Sequence, residues 1–378
     1  MSSAAPLQPA RLEALAERMR REVDDGLLPA CSAAVAVGGE VAWTATFGDA
    51  TDSSRFAMFS CTKALIAGVM WQLIGEGRVT PGTRVVDVFE EFGANGKDAI
   101  TIEQVMTHTG GFPRAPMGPP QWADREWRVA KMASWRLNWE PGSAFEYHPT
   151  SGHWVLAEVI ARLDGRDHRD SVRKRLLEPL GLERLALGVA EEDQGDIVDL
   201  VAVGEAPSAE ELRELFGIDS LDMGEVTPEI LTLFNEPANR EVGVPGGGGL
   251  SNASDLALYY QALLHNTGGL WDPAVLADGC GNVRVRLPDP MLGVPTARTL
   301  GLVSAGSDGR AVFRGMGHNV SSRAFGHNGA AGQIAWADPE TGVSFVYLTN
   351  GIDRNVLREA RRTVGVASRA GLVCRPPA

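Results

Sequence analysis

The segment Ala64 to Ile74, ALIAGVMWQLI, is apolar on nearly every face of the helix it would form, and it follows Phe59-Ser60-Cys61-Thr62-Lys63 directly. A helix that is apolar all round has no side to turn to water and must be buried. The run is about half the ~20 residues needed to cross a bilayer, so it predicts a core helix, ended by Glu76 and Gly77. A chain of 378 residues can bury such a helix without disulfide staples, because most of its unfolded surface is removed on folding. Lys63, at the mouth of that helix, is drawn toward the interior with it.

The rest of the chain is organised around this element. Leu12, Leu15, Met19 and Val23 recur at steps of three and four among charged residues, which predicts an amphipathic helix over residues 10–26. Two β-rich runs, 31–37 and 41–47, flank Gly38-Gly39, a pair able to take the positive φ of a tight hairpin. The middle of the chain reads as helices and loops, with helices over 151–163 and 254–265. Strand character returns at 311–314, 333–337 and 343–349, with Asp338 to Gly342 as the last hairpin turn, and residues 353–368 close the chain as a helix. Both ends supply strands and a helix, and no internal repeat is present. The simplest architecture is an α/β (α+β) fold: an antiparallel sheet of about five strands flanked by helices. Residues 1–80 and 288–378 would form this discontinuous α/β domain, residues 81–287 a mainly helical insertion domain, and a cleft would lie between them.

Charge and cysteine content narrow the functional classes. Lys+Arg 35 against Asp+Glu 48 gives a net charge of −13, with acid and base interspersed, so nothing would neutralise a phosphate backbone and a nucleic-acid partner is not expected. The four cysteines, Cys31, Cys61, Cys280 and Cys374, are far apart and form no CxxC pair, which reads as free thiols in a reducing compartment. The first 26 residues lack the apolar core of a secretory signal. The expectation is therefore a cytoplasmic protein with no membrane partner.

Ser60 and Lys63 are three residues apart at the start of a helix, so both side chains lie on one face and the amine can reach the hydroxyl. A serine needs a base, and a lysine serves as one only when burial and nearby positive charge lower its pKa. The apolar helix supplies the burial. A capping serine followed by a surface lysine would look the same locally, but would precede a helix with a polar face. Other candidates are weaker. His148 and His153 are five apart across Pro149 and Gly152, a poor spacing for a metal pair, and no metal or cofactor is expected. Gly246 to Gly249 lacks the strand and GK[ST] ending of a phosphate loop and reads as close backbone packing. Cys61 lies at i+2 from Lys63 and faces away from it. His108 reads as a loop-fixing hydrogen bonder, and Trp122, Trp127, Trp135 and Trp139 as either walls of an apolar pocket or core.

Several segments, in order, resemble the serine β-lactamase and penicillin-binding-protein-like family, in the branch holding class C β-lactamases and family VIII carboxylesterases. Phe59 to Lys63 resembles its SxxK, Gln104 to Gly111 its LLTHTSG stretch, and Pro141 to Tyr147 its PGxxFxYSN. Gly247 to Leu256 resembles GGGLxSTAxDL, and Gly326-His327-Asn328-Gly329 falls at the KTG or HxG triplet. The resemblance covers residues 30 to 350 and implies a β-lactamase/transpeptidase-like fold. By it, Ser60 would be the acylated nucleophile, Lys63 and Tyr147 would move the protons, and the N–H groups of Ser60 and Ala330 would form the oxyanion hole. His327, with Asn328, Gly329 and His148, would meet substrate.

Two departures shape the expected activity. The family's YxN is here Tyr147-His148-Pro149, so the amide that helps hold a β-lactam side chain is absent, and proline offers no donor. The lysine of KTG is a histidine, largely neutral at pH 7 unless a partner raises its pKa. Both favour neutral esters. The expected function is a serine hydrolase cleaving carboxylic esters through an acyl-enzyme, acting on a small-molecule ester or amide. β-Lactamase, D-amino-acid peptidase or amide hydrolase, and acyltransferase activities would use the same acyl-enzyme, and a non-catalytic binding protein is the reading from another class.

Overall fold

Strands from both ends of the chain meet in one antiparallel sheet. The computed structural model describes residues 6–217, 219 and 226–375, so residues 1–5 and 376–378 of the expected α/β domain lie outside the described residues. Helix α1 (Pro9–Asp24) precedes strands β1 (Ala30–Val37) and β2 (Glu40–Gly48), and α2 (Lys63–Gly75) is the buried apolar helix. Helices α3 (Ser151–Asp164), α4 (Ala253–His265) and α5 (Pro273–Gly281) come from the middle of the chain. Strands β3 (Val303–Ser304), β4 (Phe325–Gly326), β5 (Ile334–Asp338) and β6 (Val343–Thr349) complete the sheet before helix α6 (Val356–Ala370). The strand order is β2-β1-β6-β5-β4-β3.

The sheet has six strands where the sequence predicts about five, because β3 and β4 are two residues each and too short to display an alternating pattern. Residues 311–314, expected as a strand, form a one-turn 3₁₀ helix that ends at Gly315 in the left-handed region (φ 77°). Alternation along the strands sends successive side chains to the two faces. Ala34, Ala36, Ala335, Ala337 and Ser344 face one side, and their small side chains let α4 lie close. Gln261 on α4 accordingly donates to the carbonyls of Ala36 and Gly342, and Ser344 Oγ donates to the carbonyl of Ala257 at 2.8 Å. Val35, Phe345, Tyr347 and Trp336 face the other side, where Leu15 and Met19 of α1 and Val366 and Ala367 of α6 cover them. α4, which falls within the expected helical domain, thus belongs to the sheet, and one apolar core runs from α4 through α2 into α3.

On the α1/α6 face, Arg362 is fully buried and donates to Glu22 Oε2 (2.8 Å) and Asp353 Oδ2 (2.7 Å). Arg18 also pairs with Glu22, and Arg358 also pairs with Asp353. Breaking a buried pair leaves an uncompensated charge. Asp353→Ala strips a carboxylate from two guanidiniums and is expected to lower unfolding stability by about 3–5 kcal/mol in urea titration. Arg362→Met, which leaves Glu22 and Asp353 each with another arginine, is expected to cost less; equal losses would argue against the network.

Candidate active site

Ser60 sits in a single 3₁₀ turn, Phe59–Thr62, that leads straight into α2. Phe59 has φ 42°, a left-handed conformation that costs a bulky residue about 1–3 kcal/mol and must be held by its surroundings. Met58 N–H donates to the Gly249 carbonyl (3.0 Å), Thr62 Oγ1 donates to the Phe59 carbonyl (2.5 Å), and Gly249 N–H donates to Thr62 Oγ1 (2.9 Å). Cys61 Sγ donates to the His327 carbonyl at 3.1 Å, which ties the turn to the end of β4 and turns the thiol away from the cleft. The glycines are required here: a Cβ on Gly249 would lie 2.7 Å from Thr62 Oγ1, and one on Gly246 2.7 Å from the Pro149 carbonyl. The run Gly246 to Gly249 is therefore close backbone packing.

Lys63 is fully buried and reaches three oxygens: Ser60 Oγ at 3.0 Å, the Pro149 carbonyl at 2.7 Å and the Gly246 carbonyl at 2.5 Å. Burial, with Arg298 nearby, holds its pKa well below the ordinary lysine value. A neutral amine has two N–H bonds and one lone pair; the two carbonyls match the N–H bonds, and the lone pair faces Ser60. Pro149, read from sequence as a lost donor, serves through its carbonyl. Tyr147 O–H donates to Ser60 Oγ at 2.8 Å, and its ring lies 5.0 Å from Lys63 Nζ. Burial pushes the phenol up to about 12, against the pull of Arg298, so Tyr147 rests protonated and donating.

His327 is buried at the far side of the turn. Its Nδ1 faces the Asn328 carbonyl at 2.7 Å and so carries the proton, leaving Nε2 to accept from Arg298 Nη1 at 3.2 Å. Burial, then Arg298 and Lys63, holds its pKa well below 6.5. Asn328 is exposed, and Gly329 passes so close to the nucleophile turn that a Cβ would lie 2.5 Å from the Met58 carbonyl. Ala330 packs against the apolar cluster that contains Phe59. The structure thus brings Ser60, Lys63, Tyr147, His327, Gly329 and Ala330 to one place.

His148 does not join them. The sequence places it among substrate-binding residues, but it is fully buried, its Nε2 accepts from Phe112 N–H (3.1 Å) and its Nδ1 donates to the Glu146 carbonyl (2.7 Å). With both ring nitrogens spent on backbone, it braces the loop that carries Tyr147. His108 does likewise, accepting from His148 N–H at 3.2 Å with its ring 4.7 Å from that of Tyr147. No group of three or more His, Cys, Asp or Glu among the described residues is arranged to hold a metal. Trp122 and Trp135 are both buried in the core; Trp135 stacks on Phe112, and Trp122 also reaches Phe234, whose ring meets Phe59 edge-on at 5.8 Å.

Sequence reasoning missed Arg298 and Phe234. The Arg298 guanidinium lies 5.2 Å from the Tyr147 ring and 5.5 Å from Phe145, and makes no ion pair with a carboxylate among the described residues. Nothing in Pro295-Thr296-Ala297-Arg298 signals this; antiparallel bridges to Val285 and Val303 carry it to the cleft. The bridges are isolated pairs without a strand pattern.

Residues 15–368 match the sequence model of the family described as Beta-lactamase. The chain is 28% identical over 332 residues to the esterase/beta-lactamase LipL of Mycobacterium tuberculosis, covering 82% of this chain and 71% of that one. The crystal structure of a penicillin-binding protein homolog from Caulobacter crescentus superposes with a TM-score of 0.78 at 27% identity, over 98% of this chain and 99% of that one. A family VIII carboxylesterase shares the fold at a TM-score of 0.77 and 22% identity, over 96% and 98% of the two chains. No helix among the described residues is long and apolar enough to cross a membrane.

The buried histidines set a pH dependence of stability. His108, His153 and His327 are held well below their ordinary 6.5 and His148 is lowered to about 4, in each case chiefly by burial. They stay neutral when folded and protonate near pH 6.5 once unfolded, so the unfolded chain binds more protons below that pH. Stability is expected to fall as pH drops from 6.5 toward 4, by about 1.4 kcal/mol per pH unit for each such histidine. Urea midpoints measured at pH 7 and pH 5 would check this; a flat profile between them would refute it.

Proposed function

The chain belongs to the Beta-lactamase family, whose fold and serine-hydrolase chemistry it shares, and from that premise we propose that it hydrolyses carboxylic esters through an acyl-enzyme on Ser60. The observation that carries the reading is the pair of contacts on Ser60 Oγ, from a buried Lys63 and a protonated Tyr147. The Lys63 amine takes the Ser60 proton as Oγ attacks the ester carbonyl, and the N–H groups of Ser60 and Ala330 receive the oxyanion. The C–O bond to the alcohol breaks, Tyr147 protonates the leaving oxygen, and the proton held by Lys63 restores Tyr147. Water then attacks the acyl-Ser60 carbonyl and gives a proton to Lys63, and the C–O bond to Ser60 breaks as Lys63 returns that proton to Oγ, which releases the carboxylic acid and restores the resting site. The apolar line Phe59, Phe234 and Trp122 would wall the acyl group.

A second reading is favoured by Arg298. An arginine without a carboxylate partner among the described residues, hydrogen-bonded to His327, would suit a substrate carrying a carboxylate, as a peptide terminus or a β-lactam does. His327 is held neutral, so Arg298 would supply the cation.

Intact mass spectrometry after exposure to a fluorophosphonate tests the nucleophile: one adduct on the wild type and none on Ser60→Ala is expected, and an adduct on both would refute it. Ser60→Ala is expected to lower kcat for a p-nitrophenyl acyl ester by roughly 10⁴-fold or more with the fold unchanged. Because Lys63 must be neutral to act, activity is expected to fall as pH drops through its lowered pKa, and Lys63→Arg, which cannot give up its proton, to be inactive at every pH. A chromogenic cephalosporin set against the neutral ester separates the two readings. Arg298→Ala costing the lactam much more than the ester would favour the second.

A further inference from the structure

A cavity of about 510 Å³ opens outside the cleft, between the C-terminal end of α4, helix α5 and the sheet edge formed by β3 and β4. Its volume lies within the range of small-molecule sites. Buried Leu263, Leu276 and Phe325 line it, so it rewards a hydrocarbon occupant. Arg286 and Arg323 also line it; both are exposed, and neither makes an ion pair among the described residues. Nearby Arg284 and Arg314, by contrast, are each held by a carboxylate. No Asp or Glu among the described residues lines the cavity, and the Ser322 side chain on its wall has no hydrogen-bond partner among them. In a chain of net charge −13, two unpaired guanidiniums over an apolar wall make a local positive site.

We infer that this cavity is a second binding site, for an amphiphilic monocarboxylate whose hydrocarbon part packs on Leu263, Leu276 and Phe325 and whose carboxylate is held by Arg286 and Arg323. The guanidinium fork matches a carboxylate in geometry as well as charge. Phe325 and His327 are two residues apart on one strand line, which His327 continues by donating its backbone N–H to the Ala335 carbonyl. Both side chains therefore point to the same face. An occupant packed on Phe325 would lie beside the strand that carries His327 into the cleft, yet its binding needs no chemistry at Ser60.

Isothermal titration of the full chain with octanoate tests this, with octan-1-ol as the uncharged probe. Octanoate is expected to bind with a stoichiometry of one, more tightly than octan-1-ol. The double variant Arg286→Glu/Arg323→Glu, on exposed side chains outside the cleft, is expected to weaken octanoate by about tenfold or more and to leave octan-1-ol and fluorophosphonate labelling of the protein unchanged. Leu276→Trp, which fills the apolar wall, is expected to weaken both probes with an unchanged far-UV spectrum. Equal octanoate affinity in the wild type and the double variant would place the ligand elsewhere and overturn the proposal. The absence of octanoate binding below its micellar limit would also overturn it.

Discussion

The buried amine of Lys63 constrains this structure more than any other group. A fully buried lysine with no carboxylate partner among the described residues cannot keep its charge cheaply, so it must shed its proton or satisfy every N–H. Here its surroundings allow both, through the carbonyls of Pro149 and Gly246 and the hydroxyl of Ser60. These oxygens come from three separate segments of chain, each of which must be held in place. The glycine run, the left-handed Phe59 and the bracing histidines His108 and His148 can all be understood as the means of holding them.

Residue size on the sheet follows from the same requirement. For the apolar helix α2 to be covered all round, α4 must lie close to the sheet, which only small side chains allow. Ala34, Ala36, Ala335 and Ala337 provide that room, and Gln261 and Ser344 satisfy the polar groups where helix and strands approach. The opposite face carries Val35, Trp336, Phe345 and Tyr347 and the ion pairs of Arg362, and it bears on the fold more than on the cleft. Electrostatics at the cleft is correspondingly cationic and neutral: Arg298 carries the charge, while burial keeps Lys63 and His327 from adding to it.

Much of this was legible from the chain. Periodicity marked α1, helical character marked α3, α4 and α6, the Gly38-Gly39 hairpin marked β1 and β2, and the apolar run after Lys63 marked α2. The errors have physical causes. A two-residue strand has no period to detect, so β3 and β4 were missed, and a β-rich composition at 311–314 was overridden by a turn closing at Gly315. His148 resembled a cleft residue because the motif places it next to Tyr147, but neighbours along an irregular segment need not share a face, and its ring turns inward to Phe112.

The sequence by itself determined the order of elements and the nearness of Ser60 to Lys63, because helical spacing is local and an apolar helix has only one environment open to it. It also brought out Tyr147 and His327, through motifs matching a family to which the chain belongs. Only the tertiary structure decided that Lys63 meets two carbonyls 86 and 183 residues away, that Arg298 supplies the charge His327 lacks, and that Phe234 stands against Phe59. Such contacts join segments distant in sequence through irregular backbone. They leave no period in the chain, since their geometry is set by the packing of the whole.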